Sequence, residues 1–204
     1  MKSFATLTLL ILALVTCGLL ATSCGGDDPS TACTNCTPIV KPNLTKQADV
    51  LAYVELAYNK RNLSRYEEVL DEDFTFFPSS YDVQRRGFPQ SWGRTEEVDF
   101  HAKLFDPNYG GTRRVKSLHL DLPDGSNIQW ESFDSPIPGE TWYRTTVSYE
   151  YSIEITPYTV RANSPGTQAT FVIRNAGTEE APHWQLVEMY DLGVPNSPAA
   201  RSSI

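Results

Sequence analysis

The cysteines, the histidines and one carboxylate set among aromatics are the residues of this chain whose types and spacing could do chemistry. Cysteines stand at positions 17, 24, 33 and 36, and the last two form Cys33-Thr34-Asn35-Cys36. A redox pair of this spacing needs a helix N-terminus to lower a thiol pKa, and the flanking residues show no helical pattern. A structural zinc site needs four ligands, and no second cysteine pair or nearby histidine exists. Cys33 and Cys36 therefore read as a short disulfide of an oxidising compartment. His101, His119 and His183 are scattered without HxH or HExxH spacing, so no metal site is expected. His101 lies on a predicted helix beside Leu104 and Phe105 and reads as a satisfied helix histidine. No phosphate-binding loop, dinucleotide fingerprint or nucleophile elbow occurs, and no cofactor is implied.

The carboxylate is Glu188. Period two along a strand places Trp184, Leu186, Glu188 and Tyr190 on one face and Val187 and Met189 on the other. If the first face is buried, a carboxyl among large apolar side chains has a raised pKa, which suits a general acid or a ligand anchor. If the second is buried, Glu188 is solvated. Arg85-Arg86 and Arg113-Arg114 could hold an anion, but against so many carboxylates they read as partners in surface pairs.

The chain around these residues has 204 positions, with 25 acidic against 17 basic side chains and a net charge of −8. That balance excludes an electrostatic nucleic-acid binder. A single apolar stretch, Leu7 to Leu20, excludes a polytopic membrane protein. With Lys2 before it and Ala21-Thr22-Ser23 after it, this stretch reads as an export signal. Cys24 follows directly, and the junction resembles a lipobox, although Ala21 holds the place where leucine is usual. The expected division is a lipoprotein signal peptide over 1–23, a tether with the cysteine pair over 24–43, a folded domain over 44–194 and a disordered tail over 195–204. Acylation of Cys24 would anchor the protein to a bacterial membrane of the cell envelope, at the outer membrane or exposed to the periplasm. Ordinary secretion or an uncleaved anchor helix are the alternatives.

Helices come first in the folded part. Val50, Tyr53, Val54, Ala57 and Tyr58 recur at helical spacing over 48–60. Ser64-Arg65-Tyr66-Glu67 reads as a capping box opening a second helix to Leu70, and Glu96 to Phe105 as a third. Phe74 to Phe77 reads as a first strand, stopped by Pro78. Pro123-Asp124-Gly125-Ser126 signals a hairpin between Val115–Leu122 and Asn127–Phe133. Val147, Tyr149, Tyr151, Ile153 and Ile155 alternate with polar residues, and Ala169, Phe171 and Ile173 form a further strand before the last one at 183–192. Helices followed by antiparallel strands make an α+β domain with helices on one sheet face.

Ala57-Tyr58-Asn59-Lys60-Arg61-Asn62-Leu63 and Tyr66 to Phe74 resemble the opening of a nuclear transport factor 2-like (NTF2-like) domain, the group that includes ketosteroid isomerase, scytalone dehydratase and SnoaL-like cyclases. Thr146 to Tyr151, Phe171 to Asn175 and His183 to Glu188 are similar to its strands and closing hairpin. The resemblance implies a cone in which about three N-terminal helices pack on a curved, mainly antiparallel sheet and leave a pocket between. It implies an inward face for Glu188, and a pocket lined by Tyr53, Phe74, Val147, Tyr149, Phe171, Trp184, Leu186, Glu188 and Tyr190. The isomerase relies on a helix tyrosine, a protonated strand acid and a carboxylate base. Those places fall at Val54, Ala169 and Pro78 here, with Tyr53 one residue from the first. The expected function is a lipid-anchored, non-catalytic envelope domain that binds a small apolar molecule or a partner. The alternatives are an isomerase-, cyclase- or dehydratase-type enzyme, or a module that forms homodimers through its sheet. Thr146, Ser148, Glu150, Ser152 and Glu154 make the outer sheet face polar and count against a large obligate interface.

Overall fold

The computed structural model describes residues 42–156 and 166–193. The expected signal and tail, and Cys24, Cys33 and Cys36, fall outside the described residues.

Val50, Leu51, Val54 and Ala57 are buried along α1 (Val50–Asn59), as their helical spacing requires. Asn62 caps α2 (Leu63–Val69), its side chain accepting the Arg65 amide at 3.0 Å, so the start lies two residues before the expected capping box at Ser64. The helix passes directly into β1 (Leu70–Phe77), and the acidic run at 71–73 is strand rather than helix end. A two-residue strand, β2 (Trp92–Gly93), precedes α3 (Arg94–Phe105).

The remaining strands are β3 (Val115–Asp121), β4 (Glu131–Asp134), β5 (Thr141–Ile155), β6 (Thr167–Asn175) and β7 (Trp184–Gly193). They form an open sheet ordered β2-β1-β7-β6-β5-β3, with β4 beside the start of β5. Among the described residues only β1 and β7 pair in parallel. The α+β cone of helices against a mainly antiparallel sheet is thus the fold observed.

The expected hairpin at 123–126 does not form. Leu118 and Leu120 of β3 pair with Ile153 and Tyr151 of β5, while β4 pairs with residues 141–144 at the other end of that strand. Gly125 has a different duty, because a Cβ there would stand 2.0 Å from the backbone oxygen of Ala48. The segment presses onto the turn that leads into α1, where only glycine fits.

Val147, Ala169, Phe171, Ile173, Leu186 and Phe74 share the sheet face turned to the helices and belong to the main core. On the opposite face Trp142, Val172 and Val187 form a smaller cluster joined by Phe133 and Tyr190. Nearby, Arg174 grips buried Asp71 through two bonds of 2.8 Å.

Candidate functional site

Strict alternation fails on β7, and the failure decides which carboxylate faces inward. Val172 pairs with Glu188 while Ile173 pairs with Leu186, so Val187 is an extra residue, a β-bulge. A one-residue insertion exchanges the faces of everything that follows. Trp184 and Leu186 point to the helices, but Glu188 and Tyr190 lie with Val172 on the opposite face. The Tyr190 hydroxyl donates to Glu188 at 2.8 Å, and its ring stacks on Phe77 at 4.4 Å. The expected inward placement of Glu188 and Tyr190 is therefore corrected. Met189, facing Phe171, and Asp191, facing Ala169, take the inner face instead.

Tyr53 is also engaged elsewhere. Its hydroxyl donates to Glu68, the Arg65 guanidinium lies 4.7 Å from its ring centroid, and burial with the Glu68 carboxylate pushes its pKa up to about 12. Phe74, Phe171 and Leu186 are closed core, with 1–2% of their surface accessible. Val147 is buried beside them, and Trp184 is half-buried, edge-on to Tyr143. Of the expected lining only Tyr149 stands on the inner face at the far end of the sheet, toward the C-terminal ends of β1 and β7, and is half-buried.

That end has members the sequence reading left out. Tyr151 follows Tyr149 along the alternating face of β5; burial raises its pKa to about 12. Burial, then Asp191, Tyr151 and Asp82, keep the Tyr149 phenol protonated far above the ordinary range. Asp191 accepts only its local Gly193 amide, at 2.9 Å, among the described residues. Burial raises its pKa, and Asp82 adds to the rise against the lowering effect of that amide. Asp82 belongs to the turn after β1, held by the Ser79 hydroxyl at 2.8 Å and paired with Arg86 at 3.1 Å. A Cβ on Gly193 would lie 3.7 Å from that of Ser79, so the end of β7 rests on this turn.

From the helical side comes a chain of buried polar groups. Glu97, 2% exposed, accepts from the Tyr66 hydroxyl at 2.7 Å and the Trp92 indole at 2.6 Å. Its oxygen also lies 3.4 Å from Nδ1 of His101, one turn further along α3. Nδ1 of His101 is 2.9 Å from the Glu97 backbone oxygen, which can only accept, so Nδ1 carries the proton. Nε2 is then bare and accepts the Tyr58 hydroxyl. Burial lowers the His101 pKa and favours this neutral ring, with Glu97 pulling the other way. Tyr58 and Tyr66 stay protonated, their pKa values raised chiefly by burial. Glu97 is the orienting partner of His101, and the i, i+4 spacing on one helix was the sequence signal that could have found it.

Tyr58 lies one turn beyond Val54, Asp191 stands across from Ala169, and Asp82 follows Pro78 by four residues. Each inert position thus has a tyrosine or carboxylate close by. Among the described residues no group of histidine, cysteine and carboxylate side chains could hold a metal ion, and no helix is long and apolar enough to cross a membrane.

Two clefts open elsewhere. One of about 350 Å³ lies along β3 and β5 beside Ser117, His119, Glu150 and Glu154. The other, of about 590 Å³, runs past Glu67, Arg94, Arg174 and Gln185. Several of their charged groups already have partners: Lys116 holds Glu154 at 2.9 Å, Arg94 donates to the backbone oxygens of Glu67 and Leu70, and Arg174 is held by Asp71.

No family model matches the chain, and no curated protein matches it. Among solved structures it is similar to a provisionally assigned aromatic ring hydroxylase from Novosphingobium aromaticivorans, with 13% identity over 70% of this chain and 82% of that one and a TM-score of 0.49. An NTF2-like superfamily protein from Salmonella enterica is 8% identical over 74% and 89% of the two chains, with a TM-score of 0.48. An NTF2-like protein of unknown function in nutrient uptake from Rhodospirillum rubrum is 14% identical over 71% and 95%, with a TM-score of 0.45. At these values the function has to be argued from the site itself.

Proposed function

We propose that this chain is a lipid-anchored protein of the bacterial envelope whose NTF2-like domain binds a small, largely apolar molecule on the inner sheet face, without catalysing its conversion. The observation that carries the reading is a gradient along that face. Phe171, Ile173 and Leu186 are fully packed, whereas Tyr149, Tyr151, Met189 and Asp191, set around buried Ala169 and Thr167 toward the far end, are only half-buried. A face that turns to the helices yet keeps accessible aromatic surface beside a few polar atoms is the composition of a ligand site. Anchoring rests on the apolar run ending at Ala21-Thr22-Ser23 before Cys24. Native mass spectrometry of the full chain purified from envelopes tests the binding, with a released small-molecule mass expected and a ligand-free protein counting against it. Metabolic labelling with an alkyne fatty acid tests the anchor; equal labelling of wild type and Cys24→Ala would overturn it.

A second reading, an isomerase- or dehydratase-type enzyme, is favoured by one arrangement. The Tyr58 hydroxyl, joined to His101, lies within electrostatic reach of Tyr149 and Tyr151, and Tyr149 in turn of Asp191 and Asp82. The two readings separate on the fate of the bound molecule, which is recovered unchanged from a binder and altered from an enzyme.

A further inference from the structure

The polar groups at the far end share one property, and it narrows the ligand class of the site proposed above, on which this inference rests. The His101 tautomer obliges Tyr58 to donate its proton to Nε2, so its oxygen, near Tyr149 and Tyr151 of the sheet, has lone pairs to offer a donor. Asp191 offers carboxyl oxygens and has no lysine, arginine or histidine partner among the described residues. Asp82 adds a second carboxylate, whose cation, Arg86, is 63% exposed and turned to solvent. Around them stand the rings of Phe76, Tyr149 and Tyr151. Acceptors surrounded by aromatic surface, with no buried cation among the described residues to balance them, match a ligand that brings both the positive charge and the donors.

We propose that the inner face takes an organic ammonium ion, an amine carried on a small apolar or aromatic body. Asp191 is its counter-ion, the Tyr58 oxygen accepts one of its N–H groups, and the Tyr149 and Tyr151 rings flank the charge and the apolar body. A neutral apolar molecule would leave the Asp191 carboxyl facing it without a donor. An anion would meet Asp191 and Asp82 with like charge.

The test uses the full chain and three probes of one shape that differ in charge: 2-phenylethylammonium, 2-phenylethanol and 3-phenylpropanoate. Affinities are read by calorimetry at neutral pH. The cation should bind about tenfold more tightly than the alcohol, and the anion most weakly. Asp191→Asn should erase the preference for the cation while leaving the alcohol within about twofold of its wild-type affinity. Tyr151→Leu keeps apolar bulk and removes a ring, and should weaken the cation more than the alcohol, which keeps the idea testable if the Asp191 variant misfolds. An alcohol that binds as tightly as the cation, or an anion that binds more tightly, overturns the ammonium inference and leaves the ligand-binding reading standing. Failure of all three probes to bind at millimolar concentration overturns both.

Discussion

Glu97→Gln is the substitution that most directly interrogates the buried polar chain. The carboxylate accepts from the Tyr66 hydroxyl at 2.7 Å and the Trp92 indole at 2.6 Å, inside a residue that is 2% exposed. Glutamine keeps the shape but has one oxygen and one NH2. Trp92 can only donate, so the amide oxygen must turn to it. The NH2 then faces Tyr66, whose hydroxyl has to rotate and accept. Two charge-assisted bonds worth about 1.5–3 kcal/mol each become neutral bonds worth about 0.5–1.5, a loss of roughly 2–3 kcal/mol. For a domain of this size that lowers the melting midpoint by about 4–12 °C. His101 should nevertheless keep its proton on Nδ1, because the acceptor there is the Glu97 backbone oxygen, which the substitution does not touch. Thermal unfolding by calorimetry gives the first quantity, and nitrogen-15 chemical shifts of the imidazole give the second. A midpoint within about 2 °C of wild type would refute the claim that this carboxylate is a desolvated acceptor of two donors.

Asp191→Asn should stabilise the protein at neutral pH and change nothing below about pH 3.8, the ordinary aspartate value. The sign follows from linkage: the raised folded-state pKa makes the contribution of Asp191 complete below its unfolded value and lost as pH rises through the folded value. Melting curves from pH 3 to 8 should therefore diverge upward with pH, and parallel curves would contradict the burial of this carboxyl. Arg174→Met strands Asp71, 1% exposed, without its two 2.8 Å partners and should cost about 3–5 kcal/mol in urea unfolding. A loss under about 1 kcal/mol would make the pair an ordinary surface bridge. Val187→Ala trims the bulge residue from the outer cluster and should cost about 1–3 kcal/mol, whereas a solvated valine would cost almost nothing.

Where one residue type repeats on a regular period, the sequence reads well. The alternation along β5 holds as far as Ile153, with Val147, Tyr149 and Tyr151 inward, because a strand between two partners must bury one side consistently. The helices were legible through spacing, within a few residues at their ends. Face assignment on β7 was not, because a bulge leaves no periodic trace: Val187 looks like any valine in an apolar run. Glu97 and His101 could have been joined from their helical spacing, but the third member of the chain, Tyr58, comes from another helix 43 positions away and is brought in only by packing. The turn at 123–126 departs from the hairpin expectation because Gly125 looks the same in sequence whether it reverses a chain or makes room for the Ala48 carbonyl.

The two bulges of β7 reach beyond the choice of acid. Between Asn175↔Trp184 and Gln168↔Gly193 the strand uses ten residues where β6 uses eight, with Val187 and Leu192 the supernumerary ones. Any relative with unbulged strands will therefore slip by one residue after 187 and by two after 192 when laid against this chain without gaps. Residue-for-residue transfer would then set Tyr190 opposite Ala169, where Asp191 stands here, and would move the inward acid to the outward position opposite Gln168. A comparison of such chains has to be anchored on the pairing partner across the sheet, Ala169 for Asp191, rather than on the count along the strand.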